Sequence, residues 1–346
     1  MREYGRFIMK KKFLIIQFVI LAILLVIGLC FYTKKDTSIK MSAKITNEQW
    51  ALKNSGQKIK SKKGIKGIDI NISKAWEITT GNPNILVAVV DSGVDISCSG
   101  LADSISDNGK DFYYNDNTVF DDYTQDYHGT YIANTIAGFD SKNKVYGVAP
   151  NIKILPVKFL RGTLGNSTDA VKAVKYACEN GAKVVNCSWN FNDYNEELFK
   201  VIASYPDVLF VCAAGNSNCN LDSSKIYPAC YNLNNILTVM AVDNCGDIYE
   251  SSGRGMSVDI AAPGANIKTT FPEDDVSYVS GTSVATAYVS GVTALMLSEN
   301  NKLTPPEIID IVVSTAKKID TLDKYCLSGG IIDAYKCVKS SVDKNK

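Results

Sequence analysis

Five apolar runs, separated by amphipathic segments, set the pattern of the main body of the chain. None of them alternates apolar with polar positions, which is typical of parallel strands buried on both faces. They cover residues 85–90, 153–160, 182–188, 208–216 and 236–242. Between them, STDAVKAVKYACENG has helical spacing, and we expect Ser167 to cap its start and Gly181 to end it. This alternation predicts an α/β fold with a mostly parallel, doubly covered sheet.

A further apolar run, residues 13–32, lies near the N-terminus and contains one polar side chain, Gln17. It is long enough to cross a bilayer of about 30 Å as a helix. The basic residues within 1–12 predict that this end stays in the cytoplasm. The run exceeds the usual core of a signal peptide, and no small-x-small cleavage site follows it closely. We therefore expect an uncleaved transmembrane anchor, with a cleaved signal as the alternative.

Under either interpretation, the body of the chain is exported. We expect a single-pass cell-membrane protein whose main domain faces outside, or else a secreted protein. The polar residues 33–46 are expected to form a stalk, residues 47–340 one large domain and residues 341–346 a short tail. The expected fold class is thus an α/β domain preceded by one N-terminal transmembrane helix.

Charge and composition narrow the classes of partner. The chain carries 37 Lys and Arg against 36 Asp and Glu, a net charge of +1, so no broad basic field attracts nucleic acid. A hydrophobic fraction of 46% suits one domain with a sizeable core. A single histidine is too few for most zinc sites, and we expect no metal ion or other cofactor.

The ten cysteines are many for a cytosolic enzyme and acceptable in an oxidising exterior. Two pairs are candidates for disulfides: Cys219 with Cys230 in one polar loop, and Cys326 with Cys337 near the C-terminus. Buried free thiols are expected where cysteines fall in apolar patterns, at Cys178, Cys187 and Cys212.

Polar residues collect at one edge of the predicted sheet. Asp91, Ser188 and Asn216 each close an apolar run, whereas His128 and Ser283 each open a helical segment. Sites in parallel α/β sheets form beyond the carboxyl ends of the strands. The only histidine of the chain therefore belongs to a set of polar groups that the fold is expected to bring together.

Four short stretches supply the parts of a nucleophilic hydrolase: a hydroxyl, a base, a group that orients the base and donors for an oxyanion. An imidazole titrates at about pH 6.5 and so exchanges protons near neutrality. Each stretch is common by itself, but the four in this order are specific. They are VAVVDSGVD with Asp91, DYHGTYIANTIAG with His128, VCAAGNSN with Asn216 and SYVSGTSVATAYVSGVTAL with Ser283.

In these stretches the chain resembles the subtilisin-like serine peptidases (subtilases), whose hallmark motifs are D-S/T-G, H-G-T, A-A-G-N and G-T-S. The similarity extends from residues 47–57 to residues 329–338 and includes YGVAP, YPA and DIAAPG. The resemblance implies a parallel α/β fold, in agreement with the strand pattern. It also implies a serine endopeptidase that acts on peptides or proteins through an acyl-enzyme. The implied roles are Asp91 as orienter of the base, His128 as general base, Ser283 as nucleophile and Asn216 as oxyanion-hole donor.

The resemblance further implies where a substrate binds. Residues 188–190 would pair with an extended peptide, residues 214–215 would form the facing wall, and residues 164–165 a second edge strand. Ile226 stands where the family often has a small residue at the floor of the first pocket, which predicts a shallow pocket for small or medium side chains. An alternative for Trp189 is a side chain that is simply packed. The expected substrate-binding residues are Leu164, Gly165, Ser188, Trp189, Asn190, Ala214, Gly215 and Ile226.

The calcium site that many secreted subtilases carry is predicted to be lost. Its usual aspartate falls at Gly100, and the matching loop after the histidine helix carries Lys142 and Lys144. Calcium requires several oxygen ligands and negative charge, which two lysines oppose. The alternative left open is a calcium site elsewhere in the chain. Two other departures, Ala287 and Tyr288 in place of proline and histidine, leave the proton relay untouched.

The similarity begins soon after the apolar run, which leaves no room for the sizeable pro-domain of secreted relatives. This favours the hypothesis of a dedicated processing peptidase for exported peptides. Two other classes remain as alternatives. The first is a catalytically silent peptide-binding or receptor protein, against which the intact motif residues argue. The second is an esterase, against which the lack of a G-x-S-x-G elbow around Ser283 argues.

Overall fold

The structure is a computed structural model that describes residues 45–345. The predicted cytoplasmic segment (1–12), the predicted anchor (13–32) and all but the end of the predicted stalk (33–46) lie outside the described residues. Across residues 45–345, none of the helices combines the length and the apolar character that a membrane crossing requires.

The strands of residues 45–345 include nine that form one large sheet and six that form short hairpins. They are β1 Lys58–Ile59, β2 Lys62–Lys63, β3 Leu86–Asp91, β4 Lys110–Asp111, β5 Phe139–Asp140, β6 Val145–Tyr146, β7 Lys153–Lys158, β8 Val184–Cys187, β9 Leu209–Ala213, β10 Ile236–Val242, β11 Ile260–Pro263, β12 Ile267–Thr270, β13 Val276–Val279, β14 Lys317–Lys318 and β15 Gly330–Ile331. The large sheet has the order β14-β15-β11-β10-β9-β8-β3-β7-β4. All of its neighbours are parallel except edge strand β14, which is antiparallel to β15. The predicted mostly parallel sheet is confirmed.

The helices of the described chain are α1 Ile72–Trp76, α2 Tyr127–Ala137, α3 Ser167–Glu179, α4 Glu196–Ala203, α5 Thr282–Glu299, α6 Pro305–Thr315 and α7 Ala334–Asp343, with 3-10 turns at Pro272–Asp274 and Asp320–Leu322. The cap of α3 is Asn166 and not Ser167 as predicted, because the Asn166 side chain accepts a hydrogen bond from the Asp169 N–H at 2.8 Å. Gly181 follows the helix at φ +86°, where glycine is favoured, as predicted. The expected tail at 341–346 starts inside α7.

Burial explains why the apolar runs form strands and why α5 has no polar face. All five predicted strands are present, as β3, β7, β8, β9 and β10. α5 is buried over almost its whole length and packs against β8, β9, β10 and β11. A helix that is apolar all round has this position in a large core. α2 packs against α5 and β3, whereas α3 packs against β3, β7, β8 and α4.

The strand order positions the site. β3, β8 and β9 are neighbours in the sheet, and all three run in the same direction. Asp91 is the last residue of β3, Ser188 directly follows β8, and Asn216 follows β9 after two residues. Because carboxyl ends of parallel strands meet at one edge, these side chains converge there.

The cysteines differ from the sequence-based expectation. All nine cysteines within residues 45–345 are free thiols, so the two predicted disulfides are wrong. Cys326 Sγ instead lies 3.5 Å from Ser328 Oγ, and Cys337 Sγ lies 3.3 Å from Thr315 Oγ1. The predicted buried thiols at Cys178, Cys187 and Cys212 are confirmed.

Candidate active site

The hydrogen bond between Asp91 and His128 is the best-defined element of the site. Asp91 is fully buried at the end of β3, and His128 is the second residue of α2. Asp91 Oδ1 lies 2.7 Å from His128 Nδ1 and accepts a second hydrogen bond from the Ser92 N–H at 2.7 Å. An ionised carboxylate keeps the proton on Nδ1 and leaves Nε2 as an acceptor. This arrangement is the one that a general base requires.

Glycine at position 129 allows α2 to approach the end of β3. A Cβ at Gly129 would lie 2.2 Å from the Gly93 carbonyl oxygen and 3.1 Å from Asp91 Cβ. Gly93 itself adopts φ +115°, a conformation that favours glycine. A side chain at residue 129 would therefore push α2 away from the turn after Asp91, whereas a side chain at residue 93 would collide with the Val119 carbonyl oxygen.

Tyr131, which itself packs on Phe271, contacts one side of the imidazole. The Tyr131 ring meets the His128 ring edge-on, with 4.8 Å between centroids, and Phe271 lies 5.2 Å from Tyr131. Burial, reinforced by the negative charge of Asp91, raises the pKa of Tyr131 well above its ordinary value. The phenol therefore stays neutral and acts as a wall. The one-turn spacing of Tyr131 from His128 is the sequence signal that could have indicated this contact.

Ser283 lies at the start of α5 and exchanges hydrogen bonds with Ser188. Ser283 Oγ donates to the Ser188 carbonyl oxygen at 3.0 Å, and Ser188 Oγ donates to the Ser283 carbonyl oxygen at 2.9 Å. Among the hydrogen bonds of the described residues, none joins Ser283 Oγ to His128 Nε2. A hydroxyl hydrogen rotates freely to suit its acceptor. A relay would require this hydroxyl to leave the Ser188 carbonyl oxygen and to turn toward His128 Nε2.

Asn216 provides an uncharged amide beside the start of α5. Its Oδ1 accepts hydrogen bonds from the Thr282 N–H at 2.9 Å and from the Thr282 hydroxyl at 3.2 Å. These two bonds fix the plane of the amide and leave Nδ2 as the group that can donate. The first N–H groups of a helix have no intrahelical acceptor, and the Ser283 N–H is one of them. Two donors, one from a side chain and one from the backbone, match the requirement of an oxyanion hole.

The predicted first pocket is narrowed by Ile226. A Cβ built on Gly215 would lie 2.9 Å from Ile226 Cδ1 and 3.6 Å from Asn190 Nδ2. The isoleucine side chain thus lies directly over the glycine wall, with the Asn190 amide next to it. Gly215 has φ +81°, so glycine is favoured there on backbone grounds as well.

The two predicted edge segments differ in what they can offer a peptide. The backbone N–H and carbonyl group of Leu164 already form hydrogen bonds with the backbone of Arg161, each of 2.9 Å. Leu164 is nevertheless 67% exposed. Gly165 is exposed, but a Cβ there would lie 2.2 Å from Leu160 Cδ2, so a larger residue would collide with that side chain. Trp189 is 7% exposed, donates its indole N–H to the Val90 carbonyl oxygen at 2.8 Å and packs on Phe159. This environment matches the alternative of a packed side chain.

Two buried polar residues that the sequence did not indicate, Asn186 and Ser290, support Ser188. Ser290 Oγ donates to Asn186 Oδ1 at 2.9 Å, and Asn186 Nδ2 donates to Ser188 Oγ at 2.9 Å. Ser188 then reaches the backbone of Ser283. The chain of hydrogen bonds joins α5 to the end of β8. No local pattern signals it, because its members come from segments about a hundred residues apart.

Two clusters of the described residues contain possible ligands for a metal ion. At the position of the usual calcium site, both carboxylate oxygens of Asp140 accept hydrogen bonds from Asn143, while Lys142 and Lys144 are exposed. These contacts fit the prediction of a lost site but do not test it. A second cluster, Asp243, Cys245 and Asp247, gathers three ligand atoms within 4.8 Å. There the Lys62 ammonium pairs with both carboxylates and already supplies the positive charge.

Comparisons with known proteins show the family to which the chain is related. The profile described as the Subtilase family matches residues 82–329. A thermophilic serine proteinase of a Bacillus species (strain AK1) is 34% identical over 76% of this chain and 64% of its own length. A cell wall-associated protease of Bacillus subtilis is 33% identical over 83% of this chain and 31% of its own length. This chain thus spans less than two thirds of either relative.

Solved structures give the same result for the fold. A structure of proteases from Pseudoalteromonas arctica matches with a TM-score of 0.72 and 27% identity, covering 86% of this chain and 98% of that one. A cold-adapted subtilisin-like serine proteinase matches with a TM-score of 0.65 at 27% identity, over 82% of this chain and 98% of that one. The α/β architecture described above is therefore a subtilisin-like fold.

Proposed function

The chain belongs to the subtilase family, and from this premise we propose that it is a serine endopeptidase that cleaves peptide bonds through an acyl-enzyme. The observation that carries the proposal is the 2.7 Å hydrogen bond between Asp91 and His128. It occurs next to α5, the helix that carries Ser283 at its start and packs against α2.

In the first step, Ser283 Oγ attacks the scissile carbonyl carbon. The hydroxyl turns from the Ser188 carbonyl oxygen to His128 Nε2, which takes its proton as the new C–O bond forms. The buried Asp91 carboxylate holds Nδ1–H and stabilises the imidazolium produced in this step.

The tetrahedral intermediate carries a negative charge on the former carbonyl oxygen. Asn216 Nδ2 and the Ser283 N–H donate to this oxygen, and the amide of Asn216 is held in place by its two hydrogen bonds from Thr282. When the intermediate collapses, the C–N bond breaks and His128 gives its proton to the leaving amine. A water molecule then attacks the acyl-enzyme by the same route, and the carboxylic acid product leaves.

The side chain before the scissile bond is proposed to be small. Ile226 Cδ1 lies over Gly215, in the volume that a large side chain would need to enter. A hydrophobic pocket that loses methylene-sized space discriminates by about 10- to 200-fold. Alanine, glycine or serine at this substrate position fits the remaining depth better than phenylalanine or leucine does.

The location and role of the enzyme are proposed from the sequence and its relatives. The apolar run at residues 13–32 supports an exported peptidase held at the cell membrane with its domain outside. A cell wall-associated protease is among the relatives. A narrow first pocket suits a dedicated processing peptidase for exported peptides better than a scavenger. If the enzyme instead cleaved unfolded casein efficiently and with little sequence preference, that result would contradict the processing role.

The test of the peptidase proposal is active-site labelling of the full chain purified in detergent. A fluorophosphonate probe is expected to modify Ser283, as mapped by mass spectrometry, and to leave the Ser283→Ala variant unlabelled. Hydrolysis of peptides from a random library should disappear in the same variant. A folded wild-type chain that neither reacts with the probe nor cleaves any peptide would instead be a silent peptide-binding relative.

A further inference from the structure

A fully buried ion pair lies next to the Asp91–His128 hydrogen bond. Lys158, the last residue of β7, and Asp126, the residue before α2, are both completely buried, and Lys158 Nζ lies 2.7 Å from Asp126 Oδ2. Lys158 is the register partner of Asp91 on the adjacent strand, and Asp126 precedes His128 by one intervening residue. The pair therefore connects the two segments that carry the predicted orienter and base.

The three hydrogens of the ammonium group are all used. Besides Asp126, Lys158 Nζ donates to the Ser92 carbonyl oxygen at 2.8 Å and to the Leu160 carbonyl oxygen at 3.2 Å. Asp121 Oδ2 lies at 3.6 Å as a second, more exposed carboxylate. A lysine has three donors and no acceptor, so this cation is fully coordinated by groups from three segments of chain.

A second link joins the same segments. Ser92 Oγ donates to the Asp126 carbonyl oxygen at 3.0 Å and accepts a hydrogen bond from the Gly129 N–H at 3.2 Å. Ser92 thus reaches both sides of His128 along the start of α2, while its own carbonyl group is held by Lys158. Asp126 Oδ2 also accepts from the N–H groups of residues 121 and 122, which fixes the loop that leads into α2.

Stability of the core alone does not explain why two charged side chains are buried here. A buried ion pair often contributes no more than well-packed apolar residues of the same volume. What the pair does provide is a defined geometry, because its charged hydrogen bonds are directional and two of them, at 2.7 and 2.8 Å, are short. In this fold that geometry lies between the turn after Asp91 and the first residues of α2.

We propose that the Lys158–Asp126 pair, with Ser92, is a positioning clamp that fixes the His128 helix against the Asp91 turn and so sets the Asp91–His128 hydrogen bond. Lys158 and Asp126 are positioning residues, since neither is expected to touch substrate. The effect on turnover rests on the proposed peptidase function, whereas the effect on the imidazole does not. A displacement of about 1 Å at a reacting group lowers turnover by about 10²-fold.

The first test is kinetic and uses the full chain in detergent. The Lys158→Met/Asp126→Asn variant removes both charges together and so leaves no unpaired buried charge. We expect kcat to fall about 10- to 100-fold with KM within about twofold, since substrate contacts are untouched. The matched control is Lys268→Met/Glu48→Gln, which removes a 2.6 Å pair whose carboxylate is exposed and is expected to leave both constants unchanged.

The second test observes the imidazole directly. Because the chain contains a single histidine, selective ¹⁵N-histidine labelling gives one set of ring signals without assignment. In the Ser283→Ala background, the Nδ1–H proton should appear far downfield and exchange slowly with water. The Lys158→Met/Asp126→Asn change is expected to broaden or shift this signal and speed its exchange, and the control pair is expected to leave it unchanged.

The outcomes separate the clamp from the peptidase proposal. A folded double variant with unchanged kcat and an unchanged Nδ1–H signal overturns the clamp. If the double variant does not fold, Ser92→Ala removes the two hydroxyl links of the clamp and leaves both buried charges paired, and an unchanged signal in that variant overturns the clamp equally. A wild-type chain without activity, whose Nδ1–H signal still depends on Lys158 and Asp126, refutes the peptidase function and supports the clamp.

Discussion

Asp91 and His128 already share a 2.7 Å hydrogen bond, whereas Ser283 donates its hydroxyl to Ser188 and a pocket side chain, Ile226, lies over Gly215. The first two residues form the proton-relay half of the site. Ser283, together with Ser188, Gly215 and Ile226, forms the recognition half. The proton-relay half has the geometry of its proposed reaction before any substrate arrives, and the recognition half has to adjust.

Different kinds of packing account for this contrast. The proton-relay half is closed by backbone contacts at Gly93 and Gly129 and by buried charges, which have one geometry. The recognition half consists of a hydroxyl and an aliphatic side chain, which turn about single bonds at low cost. A site built in this way keeps its chemistry constant while substrate preference changes through a few side chains.

The largest expected effect tests whether the two halves act as one unit. Ser283→Ala and His128→Ala are each expected to lower kcat by about 10⁶-fold, because either change removes the complete proton transfer. The double variant should be no slower than either single variant. Ser298→Ala, elsewhere on α5, serves as the control and should keep full activity. A double variant far slower than both single variants would mean that the halves act independently.

The next effect concerns Asn216, the proposed oxyanion donor next to the recognition half. Asn216→Ala is expected to lower kcat by roughly 10²–10³-fold, as loss of the corresponding donor does in subtilisin, with little change in KM. Steady-state kinetics on one peptide substrate measures both constants. Ser217→Ala, at the exposed neighbouring position, is the control. A change confined to KM would assign Asn216 to ground-state binding.

Substrate preference should change with the size of residue 226. Ile226→Gly is expected to raise kcat/KM for peptides with phenylalanine or leucine before the scissile bond by roughly 10- to 100-fold, because the space above Gly215 opens. Peptides with alanine at that position should change by less than about threefold. The series Gly, Ala, Val at residue 226 should give graded preferences. Equal changes for all peptides would show that Ile226 does not line the pocket.

The smallest expected effect concerns a buried acid near the proton-relay half. Burial raises the pKa of Asp111 from 3.8 to about 6, despite hydrogen bonds from the N–H groups of Tyr113 and Tyr114. Because the folded pKa is the higher one, the protonated carboxyl stabilises the fold below pH 3.8, and this contribution is lost as pH rises through about 6.

Asp111→Asn should remove this dependence. In the Ser283→Ala background, urea unfolding at about pH 4.5 and about pH 7.5 should show the native carboxyl losing about 1 kcal/mol relative to the amide over this interval, after allowance for solvent screening. Asp107→Asn, at an exposed position, is the control and should leave the difference unchanged. If the chain with the native Asp111 instead gained stability relative to the Asp111→Asn variant as pH rises, the assigned direction of the pKa shift would be wrong.

Patterns that are local in sequence predicted the fold well. The five strands follow from continuous apolar runs, since a run without polar positions can only be buried on both faces. The positions of Asp91, Ser188 and Asn216 at one edge follow from the parallel direction of their strands. The resemblance to subtilases assigned roles to these positions, and the Asp91–His128 contact brings two of them together.

Contacts between segments that are distant in the chain could not be predicted from the sequence. The exchange between Ser188 and Ser283 spans 95 positions, and no local spacing signals it. Lys158 lies in an apolar run that gives no reason for a buried cation until Asp126 is seen beside it. The disulfide predictions failed because proximity in sequence does not bring two sulfur atoms to bonding distance.

The free thiols decide how this protein responds to oxidants and alkylating reagents. Burial raises the pKa of Cys178 and of Cys337 to about 12, so neither forms the reactive thiolate at neutral pH. Among residues 45–345, the partly exposed thiols are those of Cys219, Cys230 and Cys245. Within residues 45–345 of the folded chain, alkylation is therefore expected at these three thiols. A reducing agent would break no disulfide there.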